Sequence, residues 1–195
     1  MNFPLNFRFK IVAISSRLIV EDADGATVAF VKQKKFKFKE HVEVFTDDTR
    51  SQKTADIKAN KVLDWSARYS FTNEGGSEFG SIGRQGMRSL FKASYTVFDQ
   101  AGNEVFTIQE ENPMAKIVDG IVGEIPIIGF LTGYILNPKY IARRGDQDVM
   151  RLTKRPAFWE GKFSLDLLDP SLSQDEQLLV TFGFMMLTLL ERARG

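Results

Sequence analysis

Apolar and polar residues alternate along much of this chain. In Lys35-Phe36-Lys37-Phe38-Lys39 the period is two, that of a strand with one wet face and one buried face. The same rhythm runs through His41 to Phe45, Lys53 to Lys61, Trp65 to Thr72 and Phe163 to Leu167. Turn chemistry separates these runs at Asp24-Gly25, Glu74-Gly75-Gly76, Ala101-Gly102-Asn103 and Arg144-Gly145-Asp146. Short strands joined by tight turns predict antiparallel sheet, as a barrel or a sandwich.

Three of the hairpins are copies of one unit. Asp22, Gly25, Val28 and Val31 share their spacing with Asn73, Gly76, Phe79 and Ile82, and with Asp99, Gly102, Val105 and Ile108. An Asx side chain bonds backbone two residues on, and glycine takes a positive φ at no steric cost, so the spacing describes a turn. A calcium loop at Asp22-Ala23-Asp24-Gly25 fits poorly, because Val20 stands at the first ligand position and no glutamate closes the loop.

Two stretches leave the β rhythm. From Asn112 to Pro138, Ile117, Val118, Ile121 and Val122 recur at helical spacing, with Asn112 placed as a cap and Pro113 at the first helical position. Pro126 interrupts, and Ile127 to Leu136 forms a second apolar piece. The expectation is a helical excursion near 113–136, packed on the sheet or touching a membrane or partner, in pieces too short to span a bilayer. The second stretch is the C-terminus, where Ser173 and Glu176 form a capping box and acidic Asp175 and Glu176 suit the positive end of a helix. From Leu178 to Leu190 the following helix is apolar on every face, yet shorter than the ~20 residues a bilayer requires. Only a surrounding sheet covers such a helix on all sides, so residues Gln174 to about Arg192 are predicted to form the buried centre of the fold.

Composition adds limits. The chain has 195 residues, 43% apolar and 26% charged, as expected of a single globular domain over 1–195. Twenty-six Lys and Arg face 25 Asp and Glu, so a net charge of +1 gives no bulk attraction to nucleic acid or membrane. The absence of cysteine excludes disulfides and thiolate chemistry and fits a reducing compartment. No apolar core of a signal peptide occurs in Met1 to Arg17, so a cytoplasmic location is expected, peripheral at the membrane if lipid is the ligand.

The repeated hairpins of apolar strand, Asx-x-x-Gly and apolar strand, ending in one very hydrophobic helix, resemble the tubby-like C-terminal superfamily. Ile57 to Trp65 and Gly83 to Ser89 carry most of the likeness, which is nearest to the LURP-one-related and phospholipid-scramblase-like branch and its bacterial relatives. The resemblance implies a closed antiparallel barrel of about twelve strands, with no free edge, around a buried C-terminal helix. It also implies a binding module, since tubby proteins bind phosphoinositides and scramblases act at membranes. The cysteine-rich and membrane-spanning features of scramblases are missing here, which removes scramblase activity. No lipid-binding residue of the tubby proteins aligns with this chain residue by residue, so none is carried over.

Catalytic signatures are missing. The sole histidine, His41, belongs to an alternating strand and reads as an exposed strand position before a general base. There is no His-Glu-x-x-His motif and no phosphate loop, and Gly75-Gly76-Ser77-Glu78-Phe79 fails as a nucleophile elbow at its last position. No cofactor and no metal site are expected. The local charge anomaly is Lys32, Lys34, Lys35, Lys37 and Lys39, in a strand whose Phe36 and Phe38 point inward. Such lysines either solvate and protect a strand or bind anionic phospholipid headgroups. Nucleic acid is disfavoured because inward rings cannot stack on bases. The expectation is a non-enzymatic binding module for anionic lipid. The alternatives are a protein-interaction scaffold and, third, a hydrolase built on carboxylates that the fold brings together.

Overall fold

The computed structural model describes residues 1–12, 15–34, 41–60, 68–84, 94–111, 139–156 and 161–192. They form the strands β1 Leu5–Val12, β2 Ser15–Glu21, β3 Thr27–Lys34, β4 His41–Phe45, β5 Lys53–Ala59 and β6 Arg68–Asn73. These are followed by β7 Glu78–Arg84, β8 Ser94–Asp99, β9 Glu104–Glu110, β10 Lys139–Arg144, β11 Gln147–Arg155 and β12 Gly161–Leu167. A single helix, α1 Gln174–Arg192, follows the last strand. Each strand pairs antiparallel with its neighbours in sequence, and β1 pairs with β12 to close a twelve-stranded barrel. Closure leaves every strand with two partners, so no edge invites a foreign strand. The helical excursion expected near 113–136 and the Lys35–Lys39 run lie outside the described residues.

The alternation seen in sequence sorts side chains between the two faces of the wall. Phe7, Phe9, Leu18, Val20, Val31, Val44, Ile57, Phe71, Ile82, Val97, Ile108, Leu152 and Leu165 point inward and are almost fully buried. They close around α1, whose Val180, Phe184, Met185, Met186 and Leu187 have no exposed surface. The predicted helix limits and its central burial are both found. Its capping box is formed as expected: the Ser173 amide donates to Glu176 Oε2 at 2.9 Å and the Glu176 amide to Ser173 Oγ at 3.3 Å. Thr181 and Thr188 sit in the core by donating their hydroxyls to the Gln177 and Met185 carbonyls, at 2.7 and 2.8 Å.

The helix runs closest to β7, β8 and β9, and two glycines make that approach possible. A Cβ on Gly183 would stand 3.0 Å from Ile108 Cδ1 and 3.2 Å from Val97 Cγ2. On the facing strand, a Cβ on Gly80 would meet the Leu179 side chain and lie 2.7 Å from the Phe98 carbonyl oxygen. Beside this contact Phe182 packs on Phe71 and Phe79, with ring centroids 5.5 and 5.2 Å away.

The three repeated hairpins share one turn. Gly25, Gly76 and Gly102 have φ of 82°, 79° and 85°, and each donates its amide to the carbonyl three residues before. A register shift follows in every copy, between Val20 and Glu21, Phe71 and Thr72, and Val97 and Phe98. A type I turn followed by a left-handed glycine and a bulge produces this pattern. The Asx side chains share one reach: Asp22 Oδ1 accepts from the amides of Asp24, at the expected two residues, and of Ala26, and Asn73 and Asp99 likewise accept from Ser77 and Asn103, four residues on.

Candidate functional site: a charge-divided barrel and an outer-face cluster

Because the strands simply alternate in direction, β2–β3, β4–β5, β6–β7, β8–β9, β10–β11 and the entry to α1 all turn at the same end of the barrel. That end is acidic on balance: Asp22, Asp24, Asp47, Asp48, Glu74, Asp99, Glu104, Asp146, Asp169 and Asp175 outnumber Arg50, Lys53, Arg143 and Arg144 in or beside its turns. The strand termini at the opposite end carry Lys10, Arg17, Lys32, Lys58, Arg68, Lys139, Arg155 and Lys162. Among the described residues the carboxylates near that end are Glu43 and Asp56 on the outer wall of β4 and β5, Glu110, turned into the core, and Glu111, which pairs with Arg151 at 3.0 Å. A net charge of +1 thus conceals a separation of charge along the barrel axis.

Register concentrates the basic charge further. On the outer face Lys10 stands directly across from Arg17, and Arg17 from Lys32, so three adjacent strands hold three cations in one row. Arg8, Lys162 and Arg155 make a parallel row over β1, β12 and β11, in which Arg8 is bonded to Glu21. Among the described residues no carboxylate pairs with Lys10, Arg17 or Lys32, and Arg17 Nε is shielded from water without a hydrogen-bond acceptor. Like charges directly opposite one another on a sheet destabilise it, and an anion over the row would remove that repulsion.

The lysines singled out in sequence are therefore seen in part. Lys32 is exposed on the outer wall; Lys34 is the last residue of β3, its backbone opposite Ser15; and Lys35, Lys37 and Lys39 lie outside the described residues. Lys10 and Arg17, which complete the row, were not singled out, because nothing local marks them as neighbours of Lys32.

At the acidic end the carboxylates are held by turn hydrogen bonds. Asp47 accepts from the Thr49 hydroxyl at 2.5 Å, the Thr49 amide at 2.8 Å and the Ser51 hydroxyl at 3.0 Å. The Thr49 hydroxyl chiefly, joined by the others, lowers its pKa to about 2. The side chains of Asn103 and Ser171 likewise hold Asp99 and Asp169 below the ordinary range. A carboxyl depressed in the folded state stabilises above its unfolded pKa and loses that contribution as pH falls through the folded value. Denaturant midpoints should therefore be level near neutrality and fall between about pH 4 and pH 2. Asp47→Asn should flatten that fall in a pH series of urea titrations; an unchanged profile would show that Asp47 is not one of the groups responsible.

A second constellation lies on the outer wall of β4 and β5. His41 and Glu43 are two residues apart and exposed, as the alternation predicts. Asp56 sits across from Glu43, also facing outward, yet only 6% of its surface is accessible. His41 Nε2 lies 2.5 Å from Asp56 Oδ1, and Lys53 Nζ donates to Asp56 Oδ2 at 3.0 Å. Burial opposes the charge on Asp56, but the bonds from His41 and Lys53 outweigh it, and the carboxyl lies below its usual range. The bond to Asp56 in turn raises Lys53. The exposed strand position expected for His41 is found, and its pairing with Asp56 was not foreseen. Alternation placed both residues outward, but the register that joins them is a tertiary property.

No protein-family model, no curated protein and no solved structure matches this chain. Among the described residues no helix is long and apolar enough to cross a membrane.

Proposed function

We propose that this protein is a non-enzymatic binding module of tubby-like type that docks the basic end of its barrel on anionic phospholipid headgroups. The observation that carries the reading is the cross-strand row Lys10, Arg17 and Lys32, with which no carboxylate among the described residues pairs. Three cations in register on a rigid wall favour a surface of closely spaced negative charge, and the acidic opposite end orients the barrel by repulsion from the same surface. The barrel wrapped around a buried helix supports the likeness to tubby-like proteins, and the row gives the lipid reading residues that the likeness did not supply.

Each basic residue near an anionic bilayer contributes about 1 kcal/mol, so losing all three contacts corresponds to about a hundredfold in affinity. Vesicles of phosphatidylcholine alone, and with added phosphatidylserine or phosphoinositide, provide the test by co-sedimentation. Wild-type protein is expected to pellet only with anionic vesicles, and less as salt shortens the ~8–10 Å screening length. The triple variant Lys10→Glu, Arg17→Glu, Lys32→Glu should remain in the supernatant with an unaltered circular dichroism spectrum. Equal pelleting of the two proteins, or no pelleting of the wild type, refutes the reading.

A further inference from the structure

The cluster on β4 and β5 stands apart from the basic row and calls for its own account. His41, Glu43 and Asp56 each offer a ligand atom, and these atoms all lie within 4.8 Å of one another. A surface ion pair explains part of the arrangement, since Asp56 is already bonded to His41 and Lys53. It explains Glu43 only through the charge of nearby Lys53: this exposed carboxylate has an oxygen within 4.8 Å of the other two ligand atoms yet forms no hydrogen bond among the described residues. It does not explain why the carboxylate these groups share is the buried one, fixed on a barrel wall with only one oxygen left toward the imidazole.

We propose that His41, Glu43 and Asp56 bind a divalent transition-metal ion of the zinc type through one imidazole nitrogen and two carboxylate oxygens. Ligand atoms ~2.0–2.2 Å from such an ion stand roughly 3.3 Å apart in a tetrahedral shell. His41 Nε2 and Asp56 Oδ1, at 2.5 Å, therefore have to part by less than about 1 Å to admit it, giving up the hydrogen bond between them and passing its proton to solvent or to Nδ1. Glu43 closes from the open side by a change of rotamer, breaking no bond. Lys53 keeps Oδ2 of Asp56 occupied, which makes Asp56 a one-oxygen ligand and fixes its orientation, as outer partners of metal ligands do. That restriction selects the class of ion: calcium takes six to eight oxygens, and magnesium prefers oxygen and water, whereas imidazole suits zinc, cobalt and nickel. The two carboxylates and Lys53 leave a local charge of −1 for the incoming cation, and the exposed side remains open to water.

Isothermal titration of the tag-free protein with zinc chloride, and visible absorption with cobalt(II), test the assignment. The wild type should take up one equivalent, and His41→Ala and Glu43→Gln should each weaken binding by about tenfold or more. Glu43 is exposed and forms no hydrogen bond among the described residues, so metal-free melting of Glu43→Gln should stay close to wild type. His41→Ala also takes a partner from Asp56 and should melt somewhat lower. Added zinc should raise the melting temperature of the wild type alone. No saturable uptake by the wild type, undiminished binding by His41→Ala, or tighter binding of calcium than of zinc overturns the proposal. None of these substitutions touches Lys10, Arg17 or Lys32, so vesicle binding can fail while metal binding stands, and the reverse.

Discussion

Phe184→Asp is expected to abolish cooperative unfolding. Phe184 has no exposed surface and lies midway along a helix that the barrel surrounds on every side. Losing the ring alone costs about 3–5 kcal/mol, and the carboxylate that replaces it enters a region lined by Leu, Ile, Val and Phe, where ionisation has no partner. Together these approach the whole stability of an ordinary domain, about 5–15 kcal/mol. Near-ultraviolet circular dichroism during heating should show no sigmoidal transition, while Phe184→Leu should melt sharply at a reduced temperature. Removing residues 174–195 should act like the aspartate, since the strands would then enclose an empty core. A sharp melt of the truncated chain would show that α1 is peripheral to the folding unit.

Gly183→Leu should be the next most damaging change. The helix approaches β8 and β9 so closely that even a methyl group at this position stands 3.0 Å from Ile108 and 3.2 Å from Val97. Three further carbons have no space, and overpacking of this kind costs about 1–3 kcal/mol. The urea midpoint should drop accordingly with little change in the slope. Gly183→Ala is a useful contrast, because its gain in helix propensity, about 1 kcal/mol, offsets the pressure on the Ile108 and Val97 methyl groups. Adding Ile108→Ala to Gly183→Leu should recover part of the loss, so that the pair is less damaging than the sum of the single changes. Strict additivity would mean that the two residues do not compete for the same space.

The features legible in the chain were those set by nearest neighbours along it. A period of two identified strands at His41 to Phe45 and Phe163 to Leu167, and at His41 to Phe45 the wet face as well, because successive Cβ atoms of a strand point to opposite sides; in Phe163 to Leu167 the polar Ser164 is buried. The spacing of Asp22 to Gly25, repeated at Asn73 and Asp99, specified a turn, because only the left-handed glycine satisfies the backbone there. The stretch from Leu178 to Leu190, apolar on every face, required burial on all sides, and with it a closed wall. These are local or stoichiometric demands, and they fixed the class of fold.

What joined distant strands was decided by tertiary structure. Alternation put Lys10, Arg17 and Lys32 on outward positions of three strands, but only the register of β1, β2 and β3 sets them side by side. The same holds for His41, Glu43 and Asp56: the sequence made Asp56 an outward residue, and the folded wall made it a buried one. The division of charge between the two ends follows from strand direction, which inverts at every turn and so carries residues far apart in sequence to one rim. Sequence thus determined the elements, their inward faces and the central helix, through forces acting within a few residues. Pairing, register and closure determined the candidate sites, because they depend on which strand lies beside which.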